Sequence, residues 1–206
     1  MSTLAFSSYT LNGVDAQKFL QGQVTVHVER LEENQTRYTA ICDLKGRIHF
    51  GLWLTKINPE SFEIVTTQDQ AEEFAKHIKK FGAFSKMKLE EAGVVFPYLQ
   101  AETTTFSSEA TDIEAWQVQA IQHGQAYIDQ TIEHVFQPQE LRLHQREGVH
   151  YDKGCYLGQE VIARLWFKAK PKAWLHAIQG TGTAPAQAEQ LHAHVQVVNS
   201  TTIDNG

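Results

Sequence analysis

Residues 153–160 read Lys153-Gly154-Cys155-Tyr156-Leu157-Gly158-Gln159-Glu160, and the rest of the chain is organised around this octet. A lysine and a thiol flank one glycine, a second glycine lies three residues beyond the thiol, and a Gln-Glu pair closes the run. Gly154 and Gly158 lack a Cβ, so the backbone there is free to adopt positive φ and to approach a ligand closely. An ammonium beside a thiol favours the thiolate where the two side chains meet. Lys-Gly-Cys alone describes a glycine turn around a small buried cysteine; the eight residues together are far more specific.

The pattern extends outward on both sides. Pro138, Gln139, Glu140, Leu141 and Leu143 form a lead-in, Gly148 and Asp152 an approach, and Val161, Ala163 and Arg164 an exit. Near the N-terminus stand Gly13, Asp15, Ala16, Phe19, Leu20, Gln21, Gly22, Gln23 and Thr25, and later an Asp43-x-Lys45-Gly46-Arg47 turn. Together these resemble the YgfZ family, the bacterial folate-binding relatives of the glycine-cleavage T-protein. The resemblance implies an α+β fold of T-protein/YgfZ type, with antiparallel sheets, helices on one face and a short or truncated C-terminal β-barrel. It divides the chain into a discontinuous folate-binding-like unit (residues 1–33 with 94–160), a ferredoxin-like α+β unit (34–93) and a barrel-like segment (161–206). Val197–Ser200 reads as one barrel strand, and the chain ends before such a barrel is complete.

What the resemblance implies chemically is a cleft for tetrahydrofolate, a flat pterin with a glutamate tail. Such a ligand needs apolar walls, a few fixed polar groups and a cation for its carboxylates. The cation candidates are Lys45, Arg47, Lys153 and Arg164; an arginine holds a carboxylate in a fork, a lysine as a point charge. Gly154, Tyr156, Gly158, Gln159 and Glu160 of the octet are the other expected folate contacts. Relatives carry a glutamate within an Arg/Asn-Ile-Glu-Ala-Gly run where this chain has Gln122. A carboxylate accepts two parallel hydrogen bonds from a pterin edge, whereas Gln122 offers one acceptor and two donors. A second departure is Val26-His27, where relatives carry a carboxylate.

The expected role is therefore an accessory protein that uses folate to support iron–sulfur enzymes, including tRNA-modifying ones. Cys155 is its functional thiol, with Lys153 and Gln159-Glu160 fixing and tuning it. Two alternatives stand beside it: a folate-dependent aminomethyl or one-carbon transferase, and an interaction module without folate. His27 titrates in the right range for a base, but a histidine within Val-His-Val also reads as a solvent-facing strand residue.

Bulk properties narrow the classes further. At 206 residues, 42% hydrophobic and 20% charged, the chain is ordinary globular material with enough length for a real core. No apolar run approaches the roughly 20 residues that span a bilayer. Cys42 and Cys155 are the only cysteines and form no metal or disulfide motif, which fits a reducing cytoplasm. Ten histidines offer no ligand spacing beyond His192 and His194, so no metal site is expected. The formal net charge of −6 argues against nucleic-acid binding through bulk charge. Residues 140–172 run against that trend with seven Lys/Arg and four Asp/Glu. Lys168, Lys170 and Lys172 there read either as guards of an edge strand or as an attraction for an anionic tail.

Periodicity supplies the elements. Asn12 and Asp15 open a helix through Gln23. Tyr38–Cys42 and Ile48–Leu54 alternate around the Asp43–Gly46 turn as a hairpin with one buried face, Cys42 among its core residues. Phe62–Thr66 is a strand, and Asp69–Phe81 an amphipathic helix with Ala71, Phe74, Ala75, Ile78 and Phe81 as its stripe and Gly82 as its stop. Strands follow at Lys86–Glu91 and Val94–Phe96, then a loop over 100–110. Thr111 and Glu114 make a capping box for a helix ending at Gly124, and a short helix runs from Pro138 to Leu143. Strands are expected at Trp174–Ile178 and Val195–Val198.

Overall fold

The computed structural model describes residues 4–171 together with Trp174 and Leu175. In chain order come β1 (Phe6–Asn12), α1 (Ala16–Gln21), β2 (Thr36–Cys42), β3 (Ile48–Asn58), β4 (Ser61–Thr67), α2 (Ala71–Phe81) and β5 (Lys88–Gln100). The strands pair antiparallel in the order β2-β3-β4-β1-β5. These elements as far as Val95, with Ile128 to Trp174, form a first compact unit.

One face of the sheet carries Leu11, Phe50, Leu52, Leu54, Phe62 and Ile64, which pack with Ala16, Phe19 and Leu20 of α1 and Phe74 and Ile78 of α2. Each such side chain contributes about 1.5–3 kcal/mol on leaving water. α1 and α2 thus lie against one shared core, as expected for the α+β class. The hairpin differs from expectation in having both faces of β3 buried. Trp53 and Gly51 alternate with the core residues and face Tyr38 and Ala40 of β2. The Tyr38 hydroxyl accepts the Ile128 N–H at 2.8 Å, bringing residue 128 onto that second face. Cys42 is buried as expected.

Three other expectations are corrected. Lys86–Glu91 and Val94–Phe96 are one strand, β5, whose register shifts opposite Ser8 and Tyr9 beside Gly93. The Asn12 cap is absent: Asp15 precedes α1 without a side-chain cap, and its carboxylate instead accepts the Lys86 N–H. Phe81 closes the α2 stripe but is 47% exposed.

The second unit comprises, among the described residues, Phe96 to Tyr127 and Leu175. The expected loop over 100–110 contains β6 (Thr103–Ser107), paired with the end of β5 through a two-residue turn at Ala101 and Glu102, both at positive φ. α3 (Ile113–Gln122) buries Trp116 and Ala120. Asp112, not Thr111, caps it, accepting the Ala115 N–H at 3.0 Å; the Thr111 hydroxyl donates to the Pro97 carbonyl.

Back in the first unit, 138–142 form turns leading to a 3-10 segment, Leu143–Arg146, and Gln159–Lys168 form a helix, α4, that periodicity did not suggest. Apart from Trp174 and Leu175, the strands expected at 174–178 and 195–198 lie outside the described residues, as do Lys172, His192 and His194.

Candidate functional site

Three stretches far apart in the chain converge around the octet. The opening segment supplies the first anchor. Val24 bridges to Ile41 beside β2, so segment 24–27 covers the sheet edge. Onto that segment the approach to the octet is fastened. The His150 N–H donates to the Thr25 carbonyl at 2.9 Å, and the hydroxyls of Thr25 and Thr39 donate to the Gly148 carbonyl at 2.7 and 3.1 Å. Gly148 is required there, because a Cβ would overlap the Tyr38 carbonyl.

Lys153 completes this anchor. It is only 6% exposed, and its Nζ donates to the Val24 carbonyl at 2.6 Å and the Val26 carbonyl at 2.7 Å. It also sits 4.7 Å from the centre of the Tyr156 ring. Burial pulls its ammonium down to about 7, while two carbonyls and a ring face act in the opposite sense by favouring the charged form. Its donors are therefore spent on the segment below the octet. Cys155, two residues on, is exposed.

The Asp43–Arg47 turn supplies the second anchor. Gly158, at φ +80°, precedes α4 and packs so closely on this turn that a Cβ would overlap the Asp43 carbonyl oxygen. A Cβ on Gly46, at φ +71°, would press on the Val161 and Ile162 side chains of α4 at 3.2 Å, a tight contact rather than an overlap. The turn is built by Asp43. Its Oδ1 accepts the N–H groups of Lys45 and Arg47 at 2.8 and 3.0 Å, and its Oδ2 pairs with His134 Nδ1 at 3.0 Å. Burial pushes this carboxyl up, but the three donors outweigh it and hold it below the usual carboxylate range. From the lead-in, fully buried Gln139 donates through Nε2 to the Ile162 carbonyl at 2.7 Å.

Among the expected site residues, the first unit brings Lys45, Arg47, Lys153 and the whole octet into one region. Arg47 donates through Nη1 to the Val135 carbonyl. Tyr156 is buried, which pushes its hydroxyl up. Gly154 is exposed and, unlike Gly158, is not at positive φ. Gln159 donates to the Lys153 carbonyl at 3.2 Å, and Glu160 lies in the first turn of α4, where the helix dipole favours it. Lys45 and Arg164 are exposed and have no ion pair among the described residues. Gln122 is the exposed last residue of α3, in the second unit.

For an acid-tailed ligand, the donor set narrows accordingly. Lys153 is committed to backbone carbonyls and Arg47 spends its Nη1 on the Val135 carbonyl, whereas Lys45 and Arg164 are exposed and have no ion pair among the described residues. Among the described residues no three His, Cys, Asp or Glu side chains are grouped to hold a metal ion.

Sequence reasoning missed two pairs. His134 with Asp43 is one; the Asp-x-Lys-Gly-Arg turn pointed to the aspartate, but nothing pointed to the histidine. The other is His27 with His150. The His27 N–H donates to His150 Nδ1 at 3.2 Å, which places the proton of a neutral His150 on Nε2. Burial, reinforced by Arg30, lowers both imidazoles. His27 is thus half-buried at the start of a 3-10 turn rather than on a solvent-facing strand.

Comparison with known proteins gives a match to the GCVT N-terminal domain over residues 2–106. A protein of Haemophilus influenzae described as uncharacterized is 30% identical over 196 residues, covering 84% of this chain and 70% of its own. The tRNA-modifying protein YgfZ of Serratia proteamaculans is 27% identical, covering 88% of this chain and 71% of its own. Its Escherichia coli namesake is 24% identical, with 88% and 72% covered. Among solved structures, the glycine cleavage system aminomethyltransferase T of Bartonella henselae aligns at 20% identity with a TM-score of 0.42, over 44% of this chain and 25% of its own.

Proposed function

The chain belongs to the YgfZ family, built on a GCVT N-terminal domain, and we propose that it is a folate-binding accessory protein supporting iron–sulfur enzymes, including those that modify tRNA. It works in the cytoplasm, and its thiol is Cys155. The observation that carries this reading is the placement of that thiol: exposed, on a loop pinned on one side by Lys153 and on the other by Gly158. Pinning both flanks fixes where the sulfur is presented without burying it, which suits transient contact with a partner. Lys45 and Arg164 are the cations for the folate tail, and Gly154, Gln159 and Glu160 lie on the same loop and helix start.

Calorimetric titration with tetrahydrofolate tests the ligand. Saturable binding that weakens in Lys45→Ala and Arg164→Ala supports the reading, and no heat beyond dilution overturns it. Cys155→Ser tests the thiol: the variant should fold normally yet fail to restore cluster-dependent tRNA modification in cells lacking the protein. Full restoration removes the thiol assignment.

One observation favours the transferase alternative. Asp43 holds His134 through Nδ1, which leaves Nε2 of this exposed imidazole available to accept a proton. Turnover of an aminomethyl donor with tetrahydrofolate, lost in His134→Gln, would establish it.

A further inference from the structure

The end of α2 and the loop after it read Lys79-Lys80-Phe81-Gly82-Ala83-Phe84-Ser85-Lys86-Met87-Lys88: four lysines, two phenylalanines and no acid, within a chain of net charge −6. The structure makes this run a fixed projection. The Gly82 and Ser85 N–H groups close successive turns onto the Ile78 and Gly82 carbonyls. The Lys86 N–H is held by Asp15 Oδ2 at 2.6 Å, and Gly13 packs so tightly that a Cβ would lie 2.5 Å from the Met87 Cα. On this rigid frame Phe84 is 102% exposed, and Phe81 stands half out with Lys80 Nζ 5.4 Å from its ring centre. Lys79, Lys80 and Lys86 are exposed and have no ion pair among the described residues. The carboxylate of Asp15 is occupied by the Lys86 backbone, and Lys88, the fourth lysine, pairs with Glu90 at 2.7 Å.

We infer that this corner is a docking surface for single-stranded RNA, with bases stacking on Phe84 and Phe81 and phosphates meeting Lys79, Lys80 and Lys86. Flat exposed rings beside unpaired cations are what unpaired bases on a phosphate backbone need. Bulk charge argues against nucleic acid; the local charge is of the opposite sign, and within a Debye length the local charge decides. An anionic bilayer fits less well, because the apolar face of α2 is spent on the core and only loop-borne rings remain to insert. The inference rests on the tRNA-linked reading above and gives the protein its own hold on the RNA. It concerns a different surface from the folate site, so the two fail separately.

The test is fluorescence anisotropy of a labelled single-stranded RNA of about a dozen nucleotides, a length suited to one stacking platform, added to the full chain at about 50 and about 200 mM salt. Wild type should bind, and more weakly at the higher salt. Phe84→Ala should weaken binding about tenfold, the scale of one lost base stack, and Phe84→Trp should restore it. The triple Lys79→Gln, Lys80→Gln, Lys86→Gln should lower the slope of log affinity against log salt by about 2. Tetrahydrofolate binding should be unchanged in all of them. The inference is overturned if RNA does not bind, if both the Phe84→Ala and triple variants bind like wild type, or if anionic phosphatidylserine vesicles are bound while RNA is not.

Discussion

The α-carbon of Gly46 lies 3.2 Å from the point that a β-carbon on Gly158 would occupy. Both glycines are at positive φ, and each leaves room for the other's element: the turn after β2 for Gly158, the first turn of α4 for Gly46. Gly158→Ala should therefore cost about 2 kcal/mol or more, since the obstacle is the Asp43 carbonyl, a backbone atom that cannot step aside. Gly154→Ala meets nothing within 4 Å and should change stability by no more than about 0.5 kcal/mol. Urea unfolding of both variants checks the contrast. Equal costs would mean that the octet's glycines are not distinguished by packing.

Lys153 is the second test of how the octet is pinned. Lys153→Met keeps the aliphatic stem but leaves the Val24 and Val26 carbonyls without their donor, a loss of about 1–3 kcal/mol. The pH dependence separates this from simple packing. The folded ammonium is drawn to about 7, below its ordinary 10.5. Between those values the unfolded chain binds more protons than the folded one, so stability rises with pH above 7. The buried hydroxyls of Tyr151 and Tyr156, pushed upward, reverse the trend only where free tyrosine ionises. Urea midpoints between pH 7 and about 9.5 should rise in wild type and stay flatter in Lys153→Met, the upper limit being set by the tyrosine range.

His77 carries the opposite test, at acid pH. Burial first, then His49 and Lys80, pull it to about 4, and it shares a 2.9 Å hydrogen bond with Gln23. Its folded value lies below its ordinary 6.5. The unfolded chain takes up the proton first, so stability falls as pH drops from 6.5 toward 4. The single group should account for about 1–2 kcal/mol of that loss after solvent screening. His77→Gln should be less acid-sensitive across this window in thermal melts; an unchanged slope would assign the acid loss to other groups.

Much of the fold was legible because its elements obey simple periods. α2 was found from its stripe and charged ends, and the β2–β3 hairpin from alternation around Asp43–Gly46. The misses have physical causes. β1 escaped notice because its interior is buried on both sides, Ser7 and Ser8 included, so no alternation marks it. The β5–β6 turn places Ala101 and Glu102 at positive φ, without the Asn-Gly or Asp-Gly that announces such turns. At the site, the octet could be read as a unit, but not the direction of its groups. Lys153 next to Cys155 suggested a cation serving a thiol, and only the fold shows that its ammonium turns to Val24 and Val26. The His27–His150 and Asp43–His134 pairs join residues too distant in sequence for spacing to carry any signal.

The two thiols should differ sharply in reactivity, and this bears directly on the working surface. Cys42 is 1% exposed, and burial, then Asp43, pushes its thiol far from ionisation. Cys155 is exposed. Because the thiolate is the reactive form and must be reached by reagent, iodoacetamide should label Cys155 in the native protein and Cys42 only with denaturant present. Mass spectrometry of the alkylated protein should show one adduct natively and two in urea, with the native adduct absent from Cys155→Ser. Native labelling of Cys42 at a similar rate would mean that the junction of β2 with Gly158 opens readily. In that event Gly158 would not be an anchor, and the fixed presentation of Cys155 would lose its support.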